Sequence, residues 1–306
     1  MATLSLLTAQ ATSMSQGWSP GSGTDYDYAT IKYNSTGQQQ WVARYNGPGN
    51  SGDFASAIVV DSSGNVYVTG VSTGSGTGWD YATIKYNTSG TQQWVARYNG
   101  PGNLDDVAQA MAVDLSGNAY VTGKSQSSNG DTDYATIKYS ASGAEQWVAR
   151  YKGPGNSEDI ATAIALDGSG NVVVTGYSTG SGTGYDFATI KYNGSGTQQW
   201  VDRYNGPANG TDAGYAITVD TSGSAYATGE RTSATGTDYA TIKYYSCWPP
   251  CTAKATGKSV AASRRGAISD REARARSGSR SARMARKRRE LTHSATVSKK
   301  RIATNS

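Results

Sequence analysis

The heptapeptide Asp-Tyr-Ala-Thr-Ile-Lys-Tyr at residues 27–33 returns at 80–86, 133–139, 186–192 (with Phe187 in second place) and 238–244, at spacings of 53, 53, 53 and 52 residues. A second block, Gln-Trp-Val-Ala-Arg-Tyr, travels with it and ends at Tyr45, Tyr98, Tyr151 and Tyr204, with Asp202 in the alanine place of the last copy. A long period held this strictly specifies an array of like units, each burying a face on its neighbour. No segment of the array keeps a 3.6-residue apolar period, and glycine recurs through it, so helical repeats are excluded.

One unit, from Asp53 to about Asn103, reads as four short strands: Phe54 to Asp61, Val66 to Val71, Tyr81 to Asn87 and Gln93 to Tyr98. The first is apolar on both sides and must be covered twice. Asp61-Ser-Ser-Gly-Asn65 and Thr88-Ser-Gly90 supply hairpin turns, with Gly64 suited to the left-handed conformation. Asn99-Gly-Pro-Gly-Asn103 breaks pairing before the next unit. Four antiparallel strands in about 40 to 50 residues is the pattern of a β-propeller blade. The small-residue first strand suits the crowded axis, and the Trp-bearing fourth strand suits the outer edge. Glycine (38 residues) and tyrosine (21) fit the same picture, because one supplies positive φ at turns and the other suits half-buried pleated surface.

Three segments follow: a head at 1–24, the array at 25–245 and a tail at 246–306. Residues 1–244 hold 12 Lys and Arg against 20 Asp and Glu, a balance of −8, whereas 245–306 hold 16 against 3, a balance of +13. The head has a short apolar piece and Ala9-Gln10-Ala11, which suits the remnant of a secretory signal. No apolar run approaches the roughly 20 residues of a membrane-spanning helix. In the tail, Cys247, Cys251 and His293 are too few for a structural zinc site. Its arginine-rich segment, Arg271 to Arg289, is expected to be disordered when free and suits nucleic acid or an anionic surface. The loss of the repeat inside a blade also resembles a reading-frame change, and both readings stand.

The units DYATIKYNSTGQQQWVARYNGPGN and D-x-A-x-A-I-x-V-D-x-S-G-N-x-Y-V-T-G resemble the bacterial β-propeller repeat SBBP across about residues 25–245. The resemblance implies a propeller in secreted or surface-anchored proteins, without defined enzymatic activity and with no catalytic residues to carry over. The expected fold is thus an all-β propeller of four-stranded antiparallel blades, about four in number and incomplete against a full ring. Open sheet edges would then invite edge-strand association.

The array contains neither His nor Cys, which removes Ser-His-Asp, Cys-His and His-ligated metal chemistry, and no cofactor is expected. Asp105-Asp106 and Glu158-Asp159 are its adjacent acidic pairs and read as solvated loop charges. Asp61, Asp114, Asp167 and Asp220 read as turn residues in preference to calcium ligands. Lys32 and its counterparts, the arginines Arg44, Arg97, Arg150 and Arg203, and the tryptophans Trp41, Trp94, Trp147 and Trp200 recur in each blade and read as support, each arginine beside a blade-start aspartate. A site peculiar to this chain should sit where copies differ. Trp79 and Tyr185 stand on glycine-rich loops where other copies have Thr132 and Thr237, and an exposed ring there can stack on a sugar. The expected role is a non-catalytic extracellular or cell-surface scaffold that binds a glycan or protein through the loop face. The alternatives are a carbohydrate-active enzyme on a propeller, or nucleic-acid or anionic-surface binding through the tail.

Overall fold

The structure is a computed structural model, and it describes residues 4–7, 13–20, 25–245 and 258–263. These fall in one compact unit, Met1–Ser263. Cys247, Cys251, His293 and the segment from Arg271 to Arg289 lie outside the described residues.

Every described element is a strand, and the strands form five four-stranded antiparallel sheets in chain order. The first holds β1 (Leu4–Leu7), β2 (Ser13–Pro20), β3 (Tyr26–Tyr33) and β4 (Gln39–Tyr45). The second holds β5 (Asp53–Val60), β6 (Val66–Thr73), β7 (Trp79–Tyr86) and β8 (Gln92–Tyr98). The third holds β9 (Asp106–Val113), β10 (Ala119–Gln126), β11 (Thr132–Tyr139) and β12 (Glu145–Tyr151). The fourth holds β13 (Asp159–Leu166), β14 (Val172–Thr179), β15 (Tyr185–Tyr192) and β16 (Gln198–Tyr204), and the fifth β17 (Ala213–Val219), β18 (Ala225–Ser233), β19 (Gly236–Tyr244) and β20 (Lys258–Ser263). The count is five because β1 and β2 complete the first sheet and β20 completes the last. Sheet edges recruit strands through backbone hydrogen bonds, which need no repeat-like side chains.

The turn reading of the aspartates is what the structure shows. Asp61 Oδ1 accepts the N–H groups of Ser63 and Asn65, both at 2.9 Å, while Gly64 takes φ +81°. Asp114, Asp167 and Asp220 repeat the arrangement. Between sheets the left-handed position falls to asparagine: Asn50, Asn103, Asn156 and Asn209 have φ of 48°, 50°, 46° and 51°. Asparagine tolerates this region better than most residues with a side chain. A bulge in β5 between Ala55 and Ala57 brings the Phe54 carbonyl oxygen against Gly70, where a Cβ has no room.

The core lies between the sheets. Tyr28, Trp41, Ala43 and Tyr45 on the forward face of the first sheet meet Ile58, Val68, Ala82, Ile84 and Tyr86 on the rear face of the second. The later junctions repeat this, with smaller residues at the last. Polar tips seal the first three seams: Trp41, Trp94 and Trp147 donate Nε1–H to the carbonyls of Thr88, Ala141 and Gly194 at 3.0–3.1 Å. Lys32, Lys85 and Lys138 reach the same three carbonyls. The recurrent Trp and Lys thus hold neighbouring blades together. The first strands β5, β9, β13 and β17 also pack on one another in succession, as expected of the innermost position. Packing runs from sheet to sheet, and the sheets do not close into a ring.

Candidate functional site

Two kinds of polar site emerge, one repeated in the second to fifth sheets and one not. In each of those four sheets an aspartate at the start of the first strand is buried and accepts a backbone N–H from the preceding linker: Asp53 from Gly47 at 2.7 Å, and Asp106, Asp159 and Asp212 from Gly100, Gly153 and Gly206 at 2.6 Å. The expectation of solvated loop charges therefore fails for Asp106 and Asp159, because the linker folds over them. The arginines also differ from expectation. Arg97 pairs with Asp80 at 2.8 Å, Arg150 with Asp133 at 2.9 Å and Arg203 with Asp186 at 2.9 Å, so each partner opens the third-strand motif and not the blade. Each arginine also donates to a tyrosine hydroxyl of the preceding blade, Tyr45, Tyr98 or Tyr151, at 3.0–3.1 Å.

Burial is the leading cause that raises the pKa of Asp53, Asp106, Asp159 and Asp212 above the ordinary carboxylate value, against the pull of their hydrogen bonds. A raised folded-state pKa means the folded protein holds the proton more tightly than the unfolded chain. The stability this adds is present below the unfolded value of 3.8 and is lost as pH rises through the folded value. Asp106→Asn should therefore gain stability relative to the parent as pH rises across that window, read as the difference in urea midpoints. A difference that stays constant with pH would refute the assignment.

The second kind of site is confined to particular blades. Trp79 opens β7 and Tyr185 opens β15, so both are strand-edge residues and not loop residues. Trp79 is 41% exposed, and its backbone N–H donates to Asp105 Oδ1 at 3.0 Å. Its indole meets the edge of Phe54 with centroids 6.2 Å apart, and Phe54 lies 6.1 Å from Tyr26. The three rings form a row across the rim of the first two sheets. Tyr26 occupies the first-copy counterpart of Trp79, 53 residues earlier, and the same spacing would have flagged it. Phe54 stands where other copies have Val107, Ile160 and Ala213.

Tyr185 belongs to a different group, two sheets away, and the structure does not bring it together with Trp79. Its hydroxyl donates to Glu158 Oε2 at 2.6 Å, and its ring meets Tyr177 edge-on at 5.0 Å. The hydrogen bond to Glu158 is the leading cause that pushes its phenol up to about 12. Tyr215, half exposed, likewise donates to Glu230 Oε1 at 2.5 Å. A phenol held in this way stays protonated near neutral pH and acts as a donor, not as a base. Among the described residues no group of three or more His, Cys, Asp or Glu is arranged to hold a metal ion.

Four-stranded antiparallel sheets packed face to face in sequence, with small-residue strands innermost, define a propeller-type blade array. The model of the SBBP beta-propeller repeat matches residues 40–76 and 93–131, each match running from a fourth strand through the first two strands of the next sheet. Those two stretches are SBBP beta-propeller repeats. No curated protein sequence matches this chain. Among solved structures, it is similar to the GH93 alpha-L-arabinofuranosidase of Fusarium graminearum in complex with arabinobiose, at TM-score 0.50 and 10% identity over 84% of this chain and 90% of that one. It is also similar to a gluconolactonase from Xanthomonas campestris (TM-score 0.39, 12% identity, 74% and 75% covered) and to the extracellular domains 1-2 of Drosophila Semaphorin 1b (0.46, 9%, 80% and 52%). At these identities the likeness concerns the fold alone.

Proposed function

We propose that this chain is a non-catalytic binding module of an extracellular or cell-surface protein, and that it holds glycans on the row Tyr26–Phe54–Trp79. The observation that carries the reading is the row itself. Three aromatic rings meet in succession at a rim whose counterparts in the third sheet are Thr132 and Val107, and the Trp79 ring is open to solvent. Exposed rings of this kind offer flat apolar surface beside polar neighbours, which suits the C–H face of a sugar. Asp105, exposed beside Trp79, offers its carboxylate to hydroxyl groups around that surface.

The non-catalytic part rests on the composition of the array, which offers no histidine or cysteine as base or nucleophile. Glu158 and Glu230 are the carboxylates a hydrolytic reading would use, yet each already accepts a phenol hydrogen bond. The extracellular setting rests on the kind of protein in which SBBP repeats occur. Among the described residues no helix is long and apolar enough to cross a membrane.

A panel of immobilised glycans probed with the full chain tests the reading. Binding should weaken at least about tenfold in Trp79→Ala, a loss of roughly 1.4 kcal/mol or more, while Thr132→Ala leaves it unchanged. Binding that survives Trp79→Ala, or a panel on which nothing binds, overturns it. Turnover of a bound glycan that stops in Glu158→Gln or Glu230→Gln would favour the enzyme instead.

A further inference from the structure

Each sheet has a forward face and a rear face, and the seam between successive sheets is built on the same plan at the first three junctions, with Phe187 in the tyrosine place at the fourth. Tyr28, Tyr81 and Tyr134 point forward and are fully buried, and their hydroxyls donate to the carbonyls of Ala82, Ala135 and Ala188 in the next sheet at 3.1–3.3 Å. The fifth sheet carries the counterparts of the third-strand tyrosine and lysine, Tyr239 and Lys243, on its forward face, and no further sheet among the described residues covers them. Tyr239, the counterpart of those tyrosines, is 51% exposed. Thr228 is exposed, where Thr69, Thr122 and Thr175 are buried, and Tyr226 is half-buried, where Tyr67 and Tyr120 are buried.

The opposite end lacks cover on the complementary face. Ile31 and Tyr33 on the rear of the first sheet are half-buried, whereas Ile84, Ile137 and Ile190 are fully buried and Tyr86, Tyr139 and Tyr192 almost so. Gly90, Gly143 and Gly196 each lie beneath a tryptophan of the preceding sheet, but a Cβ placed at Gly37 would meet nothing within 4 Å. Among the described residues the array thus presents one uncovered forward face and one uncovered rear face, and these two kinds of face are what it pairs with each other internally.

We propose that copies of this chain associate head to tail, the forward face of the fifth sheet of one copy stacking on the rear face of the first sheet of the next. Tyr239 takes the place of Tyr28 and donates to the Ala29 carbonyl of the second copy, and Lys243 takes the place of Lys32 and donates to that of Ser35. The contact is heterologous, so it generates a ring or a growing series, not a closed two-fold dimer. It stacks faces and does not pair sheet edges. It is also independent of glycan binding at the rim.

Sedimentation velocity of the full chain over a wide concentration range tests this. The expected result is a weight-average mass that climbs with concentration past that of two chains. Tyr239→Glu and Tyr33→Glu each place a charge in one of the two faces, and each should raise the dissociation constant more than about tenfold, since burying an unpaired charge is costly. Mixed together, they should form a complex of two chains, because each keeps the face the other has lost. Circular dichroism melts establish that both variants are folded. A parent chain that stays monomeric at every concentration, a two-chain species that survives in either variant alone, or folded variants that fail to associate when mixed would each overturn the proposal.

Discussion

Tyr81→Ala is expected to destabilise the array by about 3–5 kcal/mol, the range for removing a large buried aromatic side chain. Tyr81 is fully buried between the second and third sheets, its ring meets the edge of Tyr98 at 5.5 Å, and its hydroxyl donates to the Ala135 carbonyl at 3.3 Å. Truncation leaves a cavity and one fewer donor at the seam. The informative control is the same change in the same motif at Tyr239, which lies on the open face and should cost less than about 0.5 kcal/mol, as surface substitutions do. Urea unfolding at low protein concentration, where end-to-end association is suppressed, gives both numbers. Amide exchange should show the loss at Tyr81 concentrated in β7, β10 and β11, since the units of a repeat array interact through nearest neighbours. Equal effects at the two positions would mean that the fifth sheet is covered after all.

Arg150→Met is expected to cost about 2–3 kcal/mol, somewhat below the figure for breaking a fully buried pair because the arginine side chain is 23% exposed. The substitution strands Asp133 without its cation and removes donors to the Ser125 carbonyl at 3.1 Å and the Tyr98 hydroxyl at 3.0 Å. Arg150→Lys should not restore the loss, because one ammonium cannot reach three acceptors held in the geometry of a planar fork. The positive charge of Arg150 also holds down the raised pKa of Asp106, so its removal favours protonation of that carboxyl. The destabilisation should accordingly shrink as pH falls through the carboxylate range. Urea midpoints of parent, Met and Lys variants across pH check both points, and full rescue by lysine would refute the fork.

Much of the blade was legible in the residues. The four strands, the Asp61 and Thr88 turns, the left-handed Gly64 and the packing of the Trp stripe follow from alternation, turn chemistry and repetition, which are local. The arginine partner was not, because two aspartates per blade lie in plausible reach and only register separates them. Arg97 stands opposite Ala82, which puts Asp80 two residues away on the same face. The strands β1, β2 and β20 were illegible for another reason. Their side chains do not follow the repeat, and what places them is the backbone of an adjoining edge.

The rim divides in the same way. Trp79 and Tyr185 stand out wherever the copies are aligned, and so does Tyr26 once the spacing is extended backwards by 53 residues. Trp79 meets Phe54 of its own sheet, which meets Tyr26 of the preceding one, while Tyr185 meets Tyr177 and Glu158 at its own sheet, and that division follows from strand pairing and packing in space.

By itself the amino-acid sequence determined the unit: its length, its strands, its turns and the two unlike faces that each sheet presents. Only the tertiary structure decided which copies of those faces are covered. Tyr28 and Tyr239 occupy the same place in the same heptapeptide, yet one is fully buried and the other half exposed. Local conformation follows from neighbours along the chain, whereas burial follows from neighbours in space, and at the ends of an open array those cease to match.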